Sequence, residues 1–250
     1  MRISVSQINE WLKCQRSWEF SRARKTFAPP SKSLIIGSAY HAALEENFKQ
    51  KILTGVDLPV EKVKMAYIAS VSETFDKWTD SETLFCSIPD SDNTADFCVI
   101  AGYRMIEKYM EEVAPGIEPA EVETSKWLDL GNHQLLCRID LITTSGTVID
   151  HKTSSRMKTL PDNSIQPAAY CLAVGSMDFQ YHLITTAAKT AVSIQPIEIT
   201  PFSLSWFVKL ANSVADQMEK GICVPNPNGW WCSRTYCDYY DLCRTDPRKF

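Results

Sequence analysis

No apolar run in this chain comes near the ~20 residues needed to cross a bilayer as a helix, so no membrane anchor is expected. No apolar stretch follows Met1-Arg2-Ile3-Ser4-Val5-Ser6 either, which excludes a secretory signal and points to the cytoplasm. The phosphate-binding pattern G-x-x-x-x-G-K-[ST] is missing, and with it a nucleotide-driven motor. Internal repeats and low-complexity tracts are missing too. There is no surplus of positive charge: 26 Lys and Arg against 30 Asp and Glu leave a net −4. That balance argues against coating nucleic acid through bulk electrostatics, although it leaves room for a local basic cleft. With 44% hydrophobic and 22% charged residues, the 250-residue chain can bury an ordinary globular core.

Positive charge is clustered at Arg16, Arg22, Arg24 and Lys25, and again at Lys152, Arg156 and Lys158. Each cluster alone reads as a solvated face. Cysteine, by contrast, is plentiful: nine in a compartment where disulfides do not persist. Cys86, Cys98, Cys137, Cys171 and Cys223 are scattered among apolar neighbours and read as small buried hydrophobes. Cys232, Cys237 and Cys243 are bunched near the C-terminus and need another reason.

The hydrophobic period changes along the chain. Ser6 is placed to cap a short helix carrying Ile8, Trp11 and Leu12, with Val5 as a staple and Cys14 at its end. After the turn at Pro29-Pro30-Ser31, the stripe His41, Leu44, Phe48, Ile52 predicts a helix over about 34–53. Two more amphipathic helices carry Val63, Tyr67, Val71, Phe75 and Trp78, then Val99, Tyr103, Ile106 and Met110; polar 80–94 between them reads as a loop. From Glu118 the period becomes two. Segments 122–130, 133–143 and 147–152 read as strands of an antiparallel meander, turned at Gly131-Asn132 and Ser145-Gly146. A helix begins near Ser164 with Pro167 in its first turn, strands follow at 179–186 and 192–199, and a helix runs over 203–220. The tail from Pro225 has little periodicity.

The chemistry concentrates in Cys137-Arg138-Ile139-Asp140-Leu141-Ile142 and Val148-Ile149-Asp150-His151-Lys152-Thr153. Side chains two apart on a strand share a face, so Asp150 and Lys152 point into one space, with Asp140 on the neighbouring strand. Two carboxylates suit a hard divalent cation, which polarises a phosphate and lowers the pKa of an attacking water. A lysine beside them can orient that water and stabilise developing negative charge. An isolated Asp-x-Lys is more commonly a surface ion pair. Here an apolar strand delivers the charges from the core, a second acid stands opposite, and Gln166-x-x-x-Tyr170 opens the next helix.

At these residues the chain resembles a family. Gly37-Ser38-Ala39-Tyr40-His41, Arg138-Ile139-Asp140, Asp150-His151-Lys152-Thr153 and Gln166-Pro167-Ala168-Ala169-Tyr170 are similar, in order, to the motifs of RecB-like nucleases. That group lies in the PD-(D/E)XK superfamily and includes phage exonucleases, the AddB nuclease domain and the CRISPR-associated spacer-acquisition nuclease. The resemblance runs from about Ser4 to Cys243. It implies an α/β fold: a restriction-endonuclease-like mixed sheet flanked by helices, as a single domain over 1–250 with a helical insertion at 54–115. It also implies roles. His41, Asp140 and Asp150 would be metal ligands, with His151 contributing mainly its main-chain carbonyl and Lys152 positioning the nucleophile. Gln166 and Tyr170 would line the site and touch DNA. Glu123 fits the family's additional acid, with Glu121 competing for that role. Cys137 stands where the family often has glycine, a departure expected to alter strand packing more than chemistry.

Cys14 is the natural fourth partner of Cys232-x4-Cys237-x5-Cys243. Four cysteines suggest zinc by default, but structural zinc sites usually draw two close pairs. The three-plus-one grouping resembles the [4Fe–4S] clasp of AddB and its relatives, although two residues rather than four commonly separate the first two of their C-terminal cysteines. The clasp, residue 14 with 225–243, would close a very long loop. The leading expectation is therefore a Mg²⁺- or Mn²⁺-dependent DNA exonuclease acting on DNA ends or single strands, in a recombination or replication module of phage type. A spacer-processing nuclease working with an integrase, or a catalytically idle iron–sulfur DNA-binding module, are the alternatives. A recombination or integrase partner protein would fit either enzyme reading.

Overall fold

The structure is a computed structural model that describes residues 1–23, 30–79, 91–161 and 164–246. In chain order its elements are β1 (Arg2–Ser4), α1 (Val5–Lys13), α2 (Gln15–Ala23), α3 (Lys32–Thr54), α4 (Val60–Thr79) and α5 (Ser91–Glu112). A 3₁₀ turn at Ala114–Gly116 leads to β2 (Pro119–Asp129), β3 (Gln134–Thr143), β4 (Val148–Ser154), α6 (Ile165–Val174), β5 (Asp178–Thr185), β6 (Val192–Glu198), α7 (Pro201–Lys220) and α8 (Tyr240–Thr245). Arg24, Lys25, Pro29, Cys86 and most of the expected 80–94 loop lie outside the described residues; 91–94 belong to α5.

One mixed sheet of six strands runs β1-β3-β4-β5-β6, with β2 on the other edge of β3. The β2–β3 hairpin is antiparallel along its length, from Glu121↔Ile142 to Asp129↔Gln134. The expected meander continues only briefly: β3 and β4 pair at Leu141↔Ile149 and Ile142↔Val148, then part. Lower on the same edge β3 pairs instead with β1, parallel, at Arg2↔Gln134 to Ser4↔Leu136. The sheet therefore forks beside Arg138 and Asp140. Beyond β4, α6 carries the chain over to β5, which runs parallel to β4 from Val148↔Phe179 to Ser154↔Thr185, and β6 closes the edge antiparallel.

Two apolar cores follow from the two faces. Ile8 and Trp11 of α1, Ala169 of α6 and Phe207 of α7 pack with Leu135, Cys137, Ile139 and Val148 on one face. Ile36, Tyr40 and Phe48 of α3, Tyr67 of α4 and Met105 and Tyr109 of α5 pack with Leu141, Ile149 and Ile184 on the other. This is a mixed α/β architecture with a central sheet flanked by helices, as expected. Cys98, Cys137, Cys171 and Cys223 are buried, as read.

Several local expectations are corrected. Ser4, not Ser6, caps α1: its Oγ accepts from the Gln7 amide at 3.4 Å, and Val5 is the first helical residue rather than a staple. The short β1 forces this earlier start. Leu12 and Ile52 face solvent; on α3 the buried row is Ala39, Tyr40, Ala43, Leu44, Asn47, Phe48 and Lys51. Lys51 takes the place expected for Ile52, its ammonium donating to Asp57 Oδ2 at 2.8 Å and the Ala114 carbonyl at 2.7 Å. On α5 the buried face is Cys98, Ala101, Met105, Ile106, Tyr109 and Met110, so Tyr103 lies outside it. Gly102 lets α4 come that close: a Cβ there would sit 2.0 Å from the Tyr67 ring. Arg16 is buried between Glu19 and Asp246 rather than solvated. The helix α2 and the short α8 in the tail were not expected.

Candidate active site

The fork between β3 and β4 creates the site. Ile139 and Leu141, two apart on β3, belong to opposite cores, so strict alternation breaks at Asp140. Its neighbour across the hairpin, Glu123, has φ 45°, a left-handed conformation that costs a non-glycine residue about 1 kcal/mol or more. These paired irregularities turn both carboxylates toward His41 on α3. His41 Nδ1 lies 3.5 Å from Asp140 Oδ2 and 3.6 Å from Glu123 Oε1. The three form one of two groups among the described residues whose ligand atoms are mutually close enough to hold a metal ion. Glu121, the competing acid, instead accepts from Lys126 Nζ at 2.9 Å.

β4 supplies the rest. Asp150, 1% exposed, is ion-paired through Oδ2 to Lys152, two residues on and on the same face. Gln166, in the first turn of α6, donates from Nε2 to Asp150 Oδ1 at 2.7 Å and to the Tyr170 hydroxyl at 3.0 Å. Ser164 caps that helix and Gly175 ends it in a left-handed conformation, which sets Gln166 and Tyr170 one turn apart over the strand. The His151 amide donates to Asp140 Oδ2 at 2.7 Å, joining the two halves. Its ring points the other way, into the α3–α5 core.

Burial dominates the electrostatics. It raises the Asp140 carboxyl from its ordinary 3.8 to about 7, with the Asp150 charge adding to the shift. Asp150 is raised by burial as well, against the opposing pull of Lys152. For His41 burial acts downward, but the Glu123 hydrogen bond and the Asp140 and Asp150 charges outweigh it and raise the pKa. Carboxylates forced together away from water in this way are a donor set for a hard divalent cation, whose charge would relieve their repulsion. The residues present fit such an ion.

A groove of 590 Å³ opens from the site along the fork, lined by Ser4, Ser6, Gln7, Asn9, Arg138, Gln166 and Tyr170. Thus His41, Glu123, Asp140, Asp150, Lys152, Gln166, Tyr170 and the His151 main chain meet in one place. Arg156 and Lys158 are exposed beyond the strand. The lining by α1 was not anticipated; polar Ser4, Ser6, Gln7 and Asn9 before an apolar stripe were its only signal.

The second close group, His133 with Asp216 and Glu219, is internally satisfied. His133 Nε2 lies 2.8 Å from Asp216 Oδ1, and the Met1 ammonium lies 3.0 Å from Glu219 Oε1 and 2.9 Å from His133 Nδ1.

At the far end of α1 the four cysteines come together. Cys14, Cys232, Cys237 and Cys243 line one 340 Å³ cavity with Phe20, Tyr239 and Tyr240. Cys14 is the C-cap of α1; its sulfur accepts from the Asn226 amide at 3.5 Å, and the Lys13 carbonyl accepts from Asn226 Nδ2 at 3.0 Å. Their sulfurs are not among the close metal groups of the described residues. No three of the four sulfurs lie mutually within 4.8 Å.

The model of the PD-(D/E)XK nuclease superfamily matches residues 2–244. No curated protein matches the chain. Among solved structures, a candidate exonuclease from Eubacterium rectale is similar, with TM-score 0.59, 13% identity, and coverage of 99% of this chain and 90% of that one. SSO0001 aligns over 95% of this chain and 96% of its own at 15% identity, with TM-score 0.38. No helix among the described residues is long and apolar enough to cross a membrane. With a match over nearly its whole length, and with two acids and a lysine gathered where its sheet forks, the chain belongs to the PD-(D/E)XK nuclease superfamily.

Proposed function

We propose that this nuclease is a DNA exonuclease of the RecB-like kind, dependent on Mg²⁺ or Mn²⁺ and acting on DNA ends or single strands. The observation that carries the reading is the convergence of His41, Glu123 and Asp140 with the Asp150–Lys152 pair at the mouth of a groove. When bound, the cation supplies polarisation of the scissile phosphate and a more acidic attacking water. The protein's own groups do the remainder. His41, Asp140, Asp150 and the His151 carbonyl would hold the ion, with Glu123 as a further acid. Lys152, paired with Asp150 in this structure, would orient the attacking water and face the developing negative charge. Gln166 holds Asp150 and, with Tyr170 and Arg138, borders the strand as it leaves along the groove. With a net charge of −4, attraction for DNA must be local to this groove and weaken as salt rises. The four-cysteine cavity is the proposed seat of a [4Fe–4S] cluster with a structural role.

The test is incubation of anaerobically purified protein with end-labelled DNA and Mn²⁺. Asp150→Ala and Lys152→Ala should each lower cleavage at least a hundredfold while leaving the protein folded and any brown colour in place. Near-normal cleavage by either variant would sink the catalytic assignment.

A further inference from the structure

Behind the candidate metal ligands runs a buried chain of polar groups that no motif of the sequence announces. The His151 ring, 2% exposed, places Nε2 2.9 Å from the hydroxyl of Tyr109 on α5. The same hydroxyl lies 2.8 Å from Nδ1 of His182 on β5, and His182 Nε2 lies 3.3 Å from Gln180 Oε1. Tyr109 is fully buried and His182 nearly so, in an otherwise apolar core beside Tyr40 and Phe48. Isolated buried polar groups are costly, and among the described residues these are bonded to one another.

The chain has a direction. An amide oxygen accepts, so His182 Nε2 carries its proton and Nδ1 accepts from the Tyr109 hydroxyl. The Tyr109 oxygen in turn accepts from His151 Nε2–H. His151 Nδ1 lies 3.8 Å from Asp140 Oδ2, beyond hydrogen-bond reach. The hold of this segment on Asp140 therefore runs through the His151 main-chain N–H, at 2.7 Å.

We propose that Tyr109 and His182 are positioning residues of the active site: through the His151 ring they fix the main chain between Asp150 and Lys152, and with it the carboxylate of Asp140. The consequence for the architecture is that α5, within the 54–115 helical segment, completes the site rather than decorating it. Groups that orient metal ligands from behind commonly alter metal affinity or activity by tenfold or more when lost.

The proposal rests on the nuclease reading for its rate measurement only; its metal measurement stands alone. Tyr109→Phe removes both hydrogen bonds and keeps the ring packing. In DNA-free protein, Mn²⁺ affinity followed by electron paramagnetic resonance should fall about tenfold. The kcat should fall by a similar factor with KM for DNA unchanged. His182→Asn, whose amide can reach the place of Nδ1, should stay near wild type, while His182→Leu should resemble Tyr109→Phe. Side-chain ¹⁵N spectra should show His151 as the Nε2–H tautomer in the wild type and as a mixture in Tyr109→Phe. Unchanged Mn²⁺ affinity in Tyr109→Phe, or equal losses in His182→Asn and His182→Leu, would overturn the proposal. A wild-type protein that binds Mn²⁺ and cleaves no DNA would overturn the nuclease reading instead, and the Mn²⁺ comparison would still decide this one.

Discussion

Glu123 shows at the residue scale how the site is held against the preferences of its own backbone. Its positive φ is relieved by glycine, while its carboxylate lies against His41. Glu123→Gly should therefore stabilise the fold by about 1 kcal/mol, raising Tm a few degrees, and lower cleavage at least tenfold. Glu123→Ala should lose activity without gaining stability, because it keeps the strain. A Glu123→Gly protein with unchanged Tm and full activity would show the conformation to be incidental. The raised carboxyls make a second prediction. A folded-state pKa above the unfolded one means stability that is present at low pH and lost as pH rises through the folded value. Asp140, moved from 3.8 to about 7, Asp150 and His41 all act in this sense. Buried His151 and His182, lowered from 6.5, act in the opposite sense below that pH. The clear window is thus above 6.5, where Tm of the metal-free protein should fall toward pH 8. Added Mn²⁺ should restore it, and by more at pH 8 than at pH 5.5, since the ligands must be deprotonated. A metal-induced shift independent of pH would contradict this electrostatic account.

Among the elements, α3 to α5 illustrate how a helical layer is fastened to the sheet's second face. Tyr67 of α4 fills the space over Gly102 of α5 and donates to the Cys98 carbonyl at 2.9 Å. Adding a methyl group at an ordinary helical glycine helps by roughly 1 kcal/mol. Here it would meet a fully buried ring at 2.0 Å, and overpacking costs about 1–3 kcal/mol. Gly102→Ala should accordingly lower Tm by several degrees, measured by calorimetry on the metal-free protein. A rise in Tm would mean that α4 and α5 can separate freely.

Over the whole molecule, the two ends of the chain meet at the cysteine cavity. The Cys14 end of α1 touches the tail through Asn226, and the Val224 amide donates to Gln15 Oε1 at 3.0 Å. The tail has little regular structure beyond α8, so a bound cluster should contribute much of its order. Cys14→Ala should abolish visible absorbance with loss of iron and labile sulfide, and should lower Tm. Cys171→Ala should leave the colour unchanged. Zinc without iron in the anaerobically purified protein, or undiminished absorbance in Cys14→Ala, would refute the cluster.

The sequence by itself was enough for the α/β class, for most helices and strands, and for the candidate residues on β3, β4 and α6. Those features are local: period two or three-and-four, a cap at Ser164, and an acid and a lysine two apart on one strand. It misplaced Ile52 and Tyr103 because a helix with apolar residues on more than one side does not declare which side is buried until its neighbours are known. Only the tertiary structure decided the fork that separates β3 from β4, because pairing of β1 with residues 134–136 joins segments more than a hundred positions apart. It also brought Glu123 rather than Glu121 beside His41, through a backbone conformation that no period encodes. Tyr109 and His182 became visible last. Each looks like an ordinary core residue in its own element, and the hydrogen bonds that set them apart cross 42 and 73 positions of chain.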